Sequence, residues 1–136
     1  ASRYESLLNE APIDVISMGI GENGHIAFND PPVADFHDPV KVKTVELDPI
    51  CRQQQVNDGC FATLDDVPTH ALSLTLPVFA EAGMLVCVVP GVRKAQAVKK
   101  TLSGAVGTDC PATLLREHRN AFLYLDADSS SLLEYQ

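Results

Sequence analysis

The chain carries 136 residues, 46% of them hydrophobic and 21% charged, and its 10 Lys and Arg against 18 Asp and Glu leave a formal charge of −8. That is one globular domain's worth of chain: its apolar residues are too many and too evenly spread for disorder, and no apolar run approaches the ~20 residues of a membrane helix. The acidic balance argues against a nucleic-acid partner, whose phosphates call for a basic face.

Short apolar runs alternate with helix-like stretches along the chain. Ile13–Met18 is β-branched and ends at Gly19, as a strand does. Val40–Val45 alternates apolar and polar residues, the period of a half-buried strand. Asp48–Val56 suits a short helix, with Asp48 as cap and Pro49 at the first position. Ala71–Leu76 alternates again, and Pro77–Ala82 reads as a helix stopped by Gly83. Met84–Val89 is continuously apolar, the pattern of a strand covered on both faces. Arg93–Leu102 is helical with Ala95, Val98 and Leu102 on one stripe, and Gly104 lies just beyond. Pro111–Glu117 is expected to be a short helix, Ala121–Leu125 a last strand and Ser129–Tyr135 a terminal helix. The alternation implies an α/β fold, with a layered, largely parallel sheet and helices on both faces, in a single domain over 1–136.

Four cysteines at 51, 60, 87 and 110 form no CxxC pair, so neither a zinc ribbon nor a thioredoxin motif is present. Cys87, inside an apolar run, behaves as a small hydrophobe. No secretory segment opens the chain, and a reduced, cytoplasmic protein is expected. The sequence starts Ala1-Ser2-Arg3 without an initiator Met, which suits a fragment.

The richest segment is Met18–Pro32, MGIGENGHIAFNDPP. It holds Gly19-x-Gly21-x-x-Gly24 directly after a strand, and Glu46 lies 22 residues beyond Gly24. That is the outline of a dinucleotide-binding fingerprint. The fingerprint needs a helix to carry the pyrophosphate, and Asn29-Asp30-Pro31-Pro32 interrupts one within five residues. What remains is a glycine-hinged loop at the carboxyl end of a strand, where α/β folds place their sites. It presents Glu22, Asn23, His25, Asn29 and Asp30. His25 and Asp30 can form an acid–base pair if the loop folds back, or the loop is merely solvated.

GIGENGHIAFNDPP resembles the signature of the glucosamine-6-phosphate deaminase (isomerase) family. VPTHALSLTLP, MLVCVVPGVRKAQAVKKTLSG and the final strand follow in the family's order, so the resemblance runs from about Ile13 to the end. The related 6-phosphogluconolactonases share the motif up to Gly24-His25 and then diverge. The resemblance implies a Rossmann-like fold of the sugar-phosphate isomerase type, and it matches only the C-terminal half of family members. The other half would carry the first phosphate loop and the aspartate that moves a proton between C2 and C1 of the sugar.

Site roles follow from the resemblance residue by residue. His25 matches the histidine that opens the pyranose ring, and Asp30 falls where the family usually has the glutamate partnering it. Asn23 falls where an aspartate often completes the trio; an amide there still bonds the imidazole but adds no charge. Gly24 belongs to the same substrate loop. Gly91-Val92-Arg93-Lys94 opens a helix, and Lys94 resembles the family's phosphate-binding lysine, with Gly91 in its turn. On residue types alone a solvated pair of cations is the favoured reading of that segment. The family's second phosphate-binding arginine falls near Gln55, and Arg52, on the same helix face, is the substitute, or else part of a solvated helix. His70 is read as structural, and His37 and His118 have no role.

The implied activity is conversion of glucosamine 6-phosphate to fructose 6-phosphate and ammonia, needing neither metal nor organic cofactor. The alternatives are a 6-phosphogluconolactonase-like hydrolase and a non-catalytic sugar-phosphate sensor. The expected partner is a phosphorylated amino sugar, without nucleic acid or membrane, and homo-oligomer formation stays open.

Overall fold

The computed structural model describes residues 1–134. Helix α1 (Ser2–Leu8) leads into strand β1 (Val15–Met18), and β2 (Val42–Glu46), α2 (Pro49–Asn57), β3 (His70–Leu74) and α3 (Leu76–Glu81) follow. Strand β4 (Met84–Val89), α4 (Ala95–Ser103) and β5 (Ala121–Leu125) complete the order, with 3₁₀ turns at Leu64–Asp66, Val92–Lys94 and Pro111–Arg116.

Three strands form a parallel sheet in the order β1-β4-β5. Val15 stands opposite Met84 and Leu85 opposite Ala121. The sheet is parallel because helical segments lie between its strands and return the chain to the same edge. Strands β2 and β3 form a separate antiparallel pair, from Val42 opposite Leu74 to Glu46 opposite His70.

One apolar cluster unites Leu85, Cys87 and Val89 of β4 with Leu76 and Phe79 of α3, Ala97 and Val98 of α4, and Leu114. A second gathers Val45, Leu47 and Cys51, with Phe28, Val33 and Ala71 against it. The continuous apolar run of β4 nonetheless alternates in burial, and Val88 is exposed beside Phe122 and Tyr124.

Three expectations change in detail. Helix α4 is preceded by a 3₁₀ turn, and its inner face is Ala95, Ala97, Val98 and Thr101, while Leu102 is turned outward. The segment from Pro111 is 3₁₀ rather than α, as suits a short run opened by proline. Residues 127–132 are turns instead of helix, because Ser129, Ser130 and Ser131 bond back to the carbonyls of Asp126 and Asp128. The last residues of that expected helix, Tyr135 and Gln136, lie outside the described residues.

For the site, the decisive point is the pairing of β1 with β4. Met18 stands opposite Cys87, so the loop after β1 and the turn after β4 leave the sheet side by side, at the same carboxyl edge.

Candidate active site

After β1 the chain makes a tight turn in which Gly21 N–H donates to the His25 carbonyl at 2.9 Å and Gly24 N–H to the Gly21 carbonyl at 3.0 Å. Gly21 is required by contact: a Cβ there would lie 2.1 Å from the His25 ring. Gly24 is required by conformation, with φ +84°, and by contact, since its Cβ would lie 2.5 Å from Cys110 Sγ. Ile26, fully buried, pins the loop to the core, and Asn29 donates to the carbonyls of Ile26 (2.8 Å) and Leu74 (2.7 Å). No helix follows the glycines, as the two prolines dictate.

His25, Asp30 and Asn23 come together. His25 Nδ1 lies 2.9 Å from Asp30 Oδ1 and 2.8 Å from Asn23 Oδ1. Asn23 Nδ2 donates to Asp30 Oδ1 at 2.9 Å, while its oxygen also accepts the His25 backbone N–H at 3.0 Å. These four contacts fix the orientation of the amide and leave Nδ1 as the proton-bearing nitrogen toward two acceptors. Nε2 has no hydrogen-bond partner among the described residues. The shorter aspartate therefore reaches the imidazole directly, and Asn23 contributes a donor where a carboxylate would have crowded Asp30 with like charge.

Asp30 has no exposed surface, and its other oxygen accepts the backbone N–H of Asp48 at 3.2 Å. Burial pushes its carboxyl up, but the hydrogen bonds from His25 and Asn23 and the charge of His25 outweigh it, so the net shift is below the ordinary value. Asp48 in turn caps α2 by accepting from Ile50 N at 2.8 Å, as its place before Pro49 predicts. One turn into α2, the Cys51 thiol is pushed up to about 12, by burial first and then by Asp30.

Ligand atoms of His25, Asp30 and Cys51 all lie within 4.8 Å of one another, the spacing of a group able to hold a metal ion. A thiol held protonated is a poor ligand at neutral pH, and the donors already converge on Asp30.

At the neighbouring turn, Gly91 adopts φ +90° and its N–H donates to both oxygens of Asp126, at 3.0 and 3.2 Å. The Lys94 ammonium is half-buried and without a hydrogen bond or ion pair among the described residues; burial lowers its pKa, against the pull of Asp58 and Glu22. A cavity of about 530 Å³ opens here between Asp58, Gly91, Arg93, Lys94 and Asp128. A second, of about 710 Å³, is bordered by Glu22, Asn23, Asp48 and Ile50.

Arg52 is placed otherwise. Its guanidinium donates to the carbonyls of Leu64 (2.7 Å) and Val67 (2.9 Å), bracing the segment after α2. Gln54, Asp58 and Arg93, which the sequence did not single out, link the two turns instead. The His70 ring bonds Thr69 Oγ1, and His118 bonds the Ala82 carbonyl and the Asn120 N–H, both structural tasks.

The parallel α/β sheet carries a buried His–Asp pair and a lysine turn on one edge, and residues 1–124 match the family of glucosamine-6-phosphate isomerases and 6-phosphogluconolactonases, to which the chain belongs. Within it, the chain is 39% identical over 132 residues to a glucosamine-6-phosphate deaminase of Listeria monocytogenes, covering 97% of this chain and 54% of that protein. It is 41% identical over 130 residues to that of Bacillus cereus, covering 96% and 48%.

Among solved structures, a monomeric glucosamine-6-phosphate deaminase superposes with a TM-score of 0.89 at 32% identity, over 97% of this chain and 53% of that one. A 6-phosphogluconolactonase from Leishmania guyanensis shares the fold with a TM-score of 0.73 at 20% identity, over 99% and 52%. The chain thus spans about half the length of the relatives it matches.

Proposed function

We propose that this chain forms the C-terminal half of a cytoplasmic glucosamine-6-phosphate deaminase, which converts that sugar to fructose 6-phosphate and ammonia. The observation that carries the reading is the buried His25–Asp30 pair, joined through Asn23, with Nε2 left open. Its Nδ1–H points at a carboxylate, so the ring is held in one orientation and a proton taken up at Nε2 is stabilised as imidazolium. Nε2 takes that proton from the C1 hydroxyl and passes it to the pyranose ring oxygen as the bond between C1 and the ring oxygen breaks, leaving the open-chain aldehyde. Lys94 takes the 6-phosphate, because an ammonium already paying part of its desolvation and lacking a partner gains most from an arriving dianion. The reading leaves Arg52 out, because one of its terminal nitrogens is already given to the carbonyls of Leu64 and Val67.

The names of the relatives at 38–41% identity support deaminase over lactonase chemistry. Four unpaired thiols suit a reducing compartment.

The test is direct. The full-length protein should release ammonia from glucosamine 6-phosphate and leave 6-phosphogluconolactone unhydrolysed. Hydrolysis of the lactone, or binding of the amino sugar without turnover, would return the reading to the hydrolase or the sensor.

A further inference from the structure

Four side chains close a ring between the glycine loop, the end of α2 and the lysine turn. Gln54 Oε1 accepts the Glu22 backbone N–H at 2.9 Å, and Gln54 Nε2 donates to Asp58 Oδ2 at 3.3 Å. Arg93 then donates from one terminal nitrogen to Asp58 Oδ1 at 2.7 Å. Its Nε lies 3.0 Å from Glu22 Oε1, close as charges though not aligned as a hydrogen bond. Glu22 is gripped twice, at its backbone and at its carboxylate.

We propose that Arg93 is a positioning residue, which through this ring holds the His25 loop at a fixed distance from the Lys94 turn. The inference rests on the deaminase reading for its kinetic consequence. Half of the Arg93 side chain is exposed, and exposed ion pairs add little to global stability, so the ring is not what keeps the chain folded. Its position gives it a different effect. Glu22 sits between Gly21, against which the His25 ring rests, and Asn23, which holds both Nδ1 and Asp30. Arg93 immediately precedes Lys94, and the strands that lead into the two segments pair in the sheet. A substrate anchored by its phosphate at Lys94 meets Nε2 at the right place only if the two turns keep their spacing.

The alternative is that Arg93 leaves its carboxylates and binds the phosphate itself. The two assignments differ in kinetics. In the full-length protein, Arg93→Gln and Glu22→Gln should each lower kcat on glucosamine 6-phosphate roughly tenfold, since displacements below an ångström already cost that much. KM should move less than about threefold, and the double variant should be no worse than either single one, because both break the same bridge. A tenfold or greater rise in KM for Arg93→Gln with kcat preserved, or effects of the two substitutions that multiply, would overturn the proposal in favour of direct phosphate binding or independent roles. If the wild-type protein releases no ammonia, the deaminase reading fails, and the ring is judged by hydrogen exchange alone. Amides of residues 21–25 should then exchange at least about tenfold faster in Arg93→Gln while α4 is unchanged, and unaltered exchange would sink the ring as a positioning device.

Discussion

The His25 loop and the Lys94 turn leave neighbouring strands at one edge of the sheet, yet they are built on opposite terms. At the loop, Asp30 is buried and satisfied by Asn23, His25 and the Asp48 N–H, and no atom of the His–Asp pair needs to move for the imidazole to be aimed. At the turn, the Lys94 ammonium is half-buried and unpaired among the described residues, and the Gly91 N–H is already given to Asp126. A group that transfers a proton needs its geometry fixed beforehand, whereas a group that captures an anion needs its charge kept free. The difference is one between order and availability.

The contrast can be broken most completely by removing what lies beyond it. By family resemblance, the base that moves the C2 proton stands outside these residues, so the 136-residue chain alone should release no ammonia above background. Clear turnover by a polypeptide of verified mass would show that a base within this chain had been overlooked.

Within the full-length protein, His25→Gln should lower kcat by about 10²–10⁴, the usual worth of a placed general acid–base, while sparing affinity for an open-chain sugar-phosphate analogue. Near-normal kcat on the cyclic sugar would remove His25 from ring opening. Asp30→Asn should act in the same direction but less, because the ring stays in place without its charge partner. Lys94→Ala should fall on the other side of the contrast, raising KM tenfold or more with little change in kcat, as loss of a charge-assisted contact worth about 1.5–3 kcal/mol requires. An unchanged KM would make Lys94 a bystander.

The pH dependence of stability sharpens the ordered side. The folded value of Asp30 lies below its unfolded one, so its contribution is complete above the ordinary carboxylate range and ebbs as pH falls through the folded value. Denaturant unfolding should therefore show a gap between wild type and Asp30→Asn that holds at neutral pH and narrows only as pH falls below the ordinary carboxylate range, and a gap that stays constant into acid would mean that Asp30 is not held ionised. The smallest effect belongs to Arg52→Ala, which should cost roughly 1 kcal/mol of stability through its lost carbonyl contacts and leave KM where it was. A raised KM would bring Arg52 back to the phosphate.

Much of the frame is legible in the sequence, because strands such as Ile13–Met18 and Met84–Val89 announce themselves by uniform β-branched and apolar runs. The helix start at Asp48-Pro49 is equally plain, since cap and proline carry their own mechanism. Helix α1 is not: Tyr4, Leu7 and Leu8 stand at helical spacing, but the run is only seven residues long and buries none of them in the described chain. The His25–Asp30 pair is legible through the family resemblance, since on residue types alone the loop between Gly24 and Pro31 reads equally as a solvated one. The Glu22–Gln54–Asp58–Arg93 ring is invisible in sequence: its members are scattered over three segments, and nothing periodic marks residues that meet only when β1 pairs with β4. For the same reason Arg52 looked available while its actual partners, two backbone carbonyls, have no sequence signature.

Cys110 carries a consequence for how this sequence can drift. Its sulfur lies where a Cβ at Gly24 would have to go, and the Gly24 carbonyl accepts from Ala112 N at 2.9 Å, so the floor beneath the His25 loop is set by the segment 110–112. Volume cannot be exchanged freely between the two positions. A residue larger than cysteine at 110 would have to lift the loop, and Gly24, held at positive φ, could not shrink to make room. Tolerance to mutation at 110 is thus set twice over, by the core in which Cys110 is buried and by the loop that rests upon it.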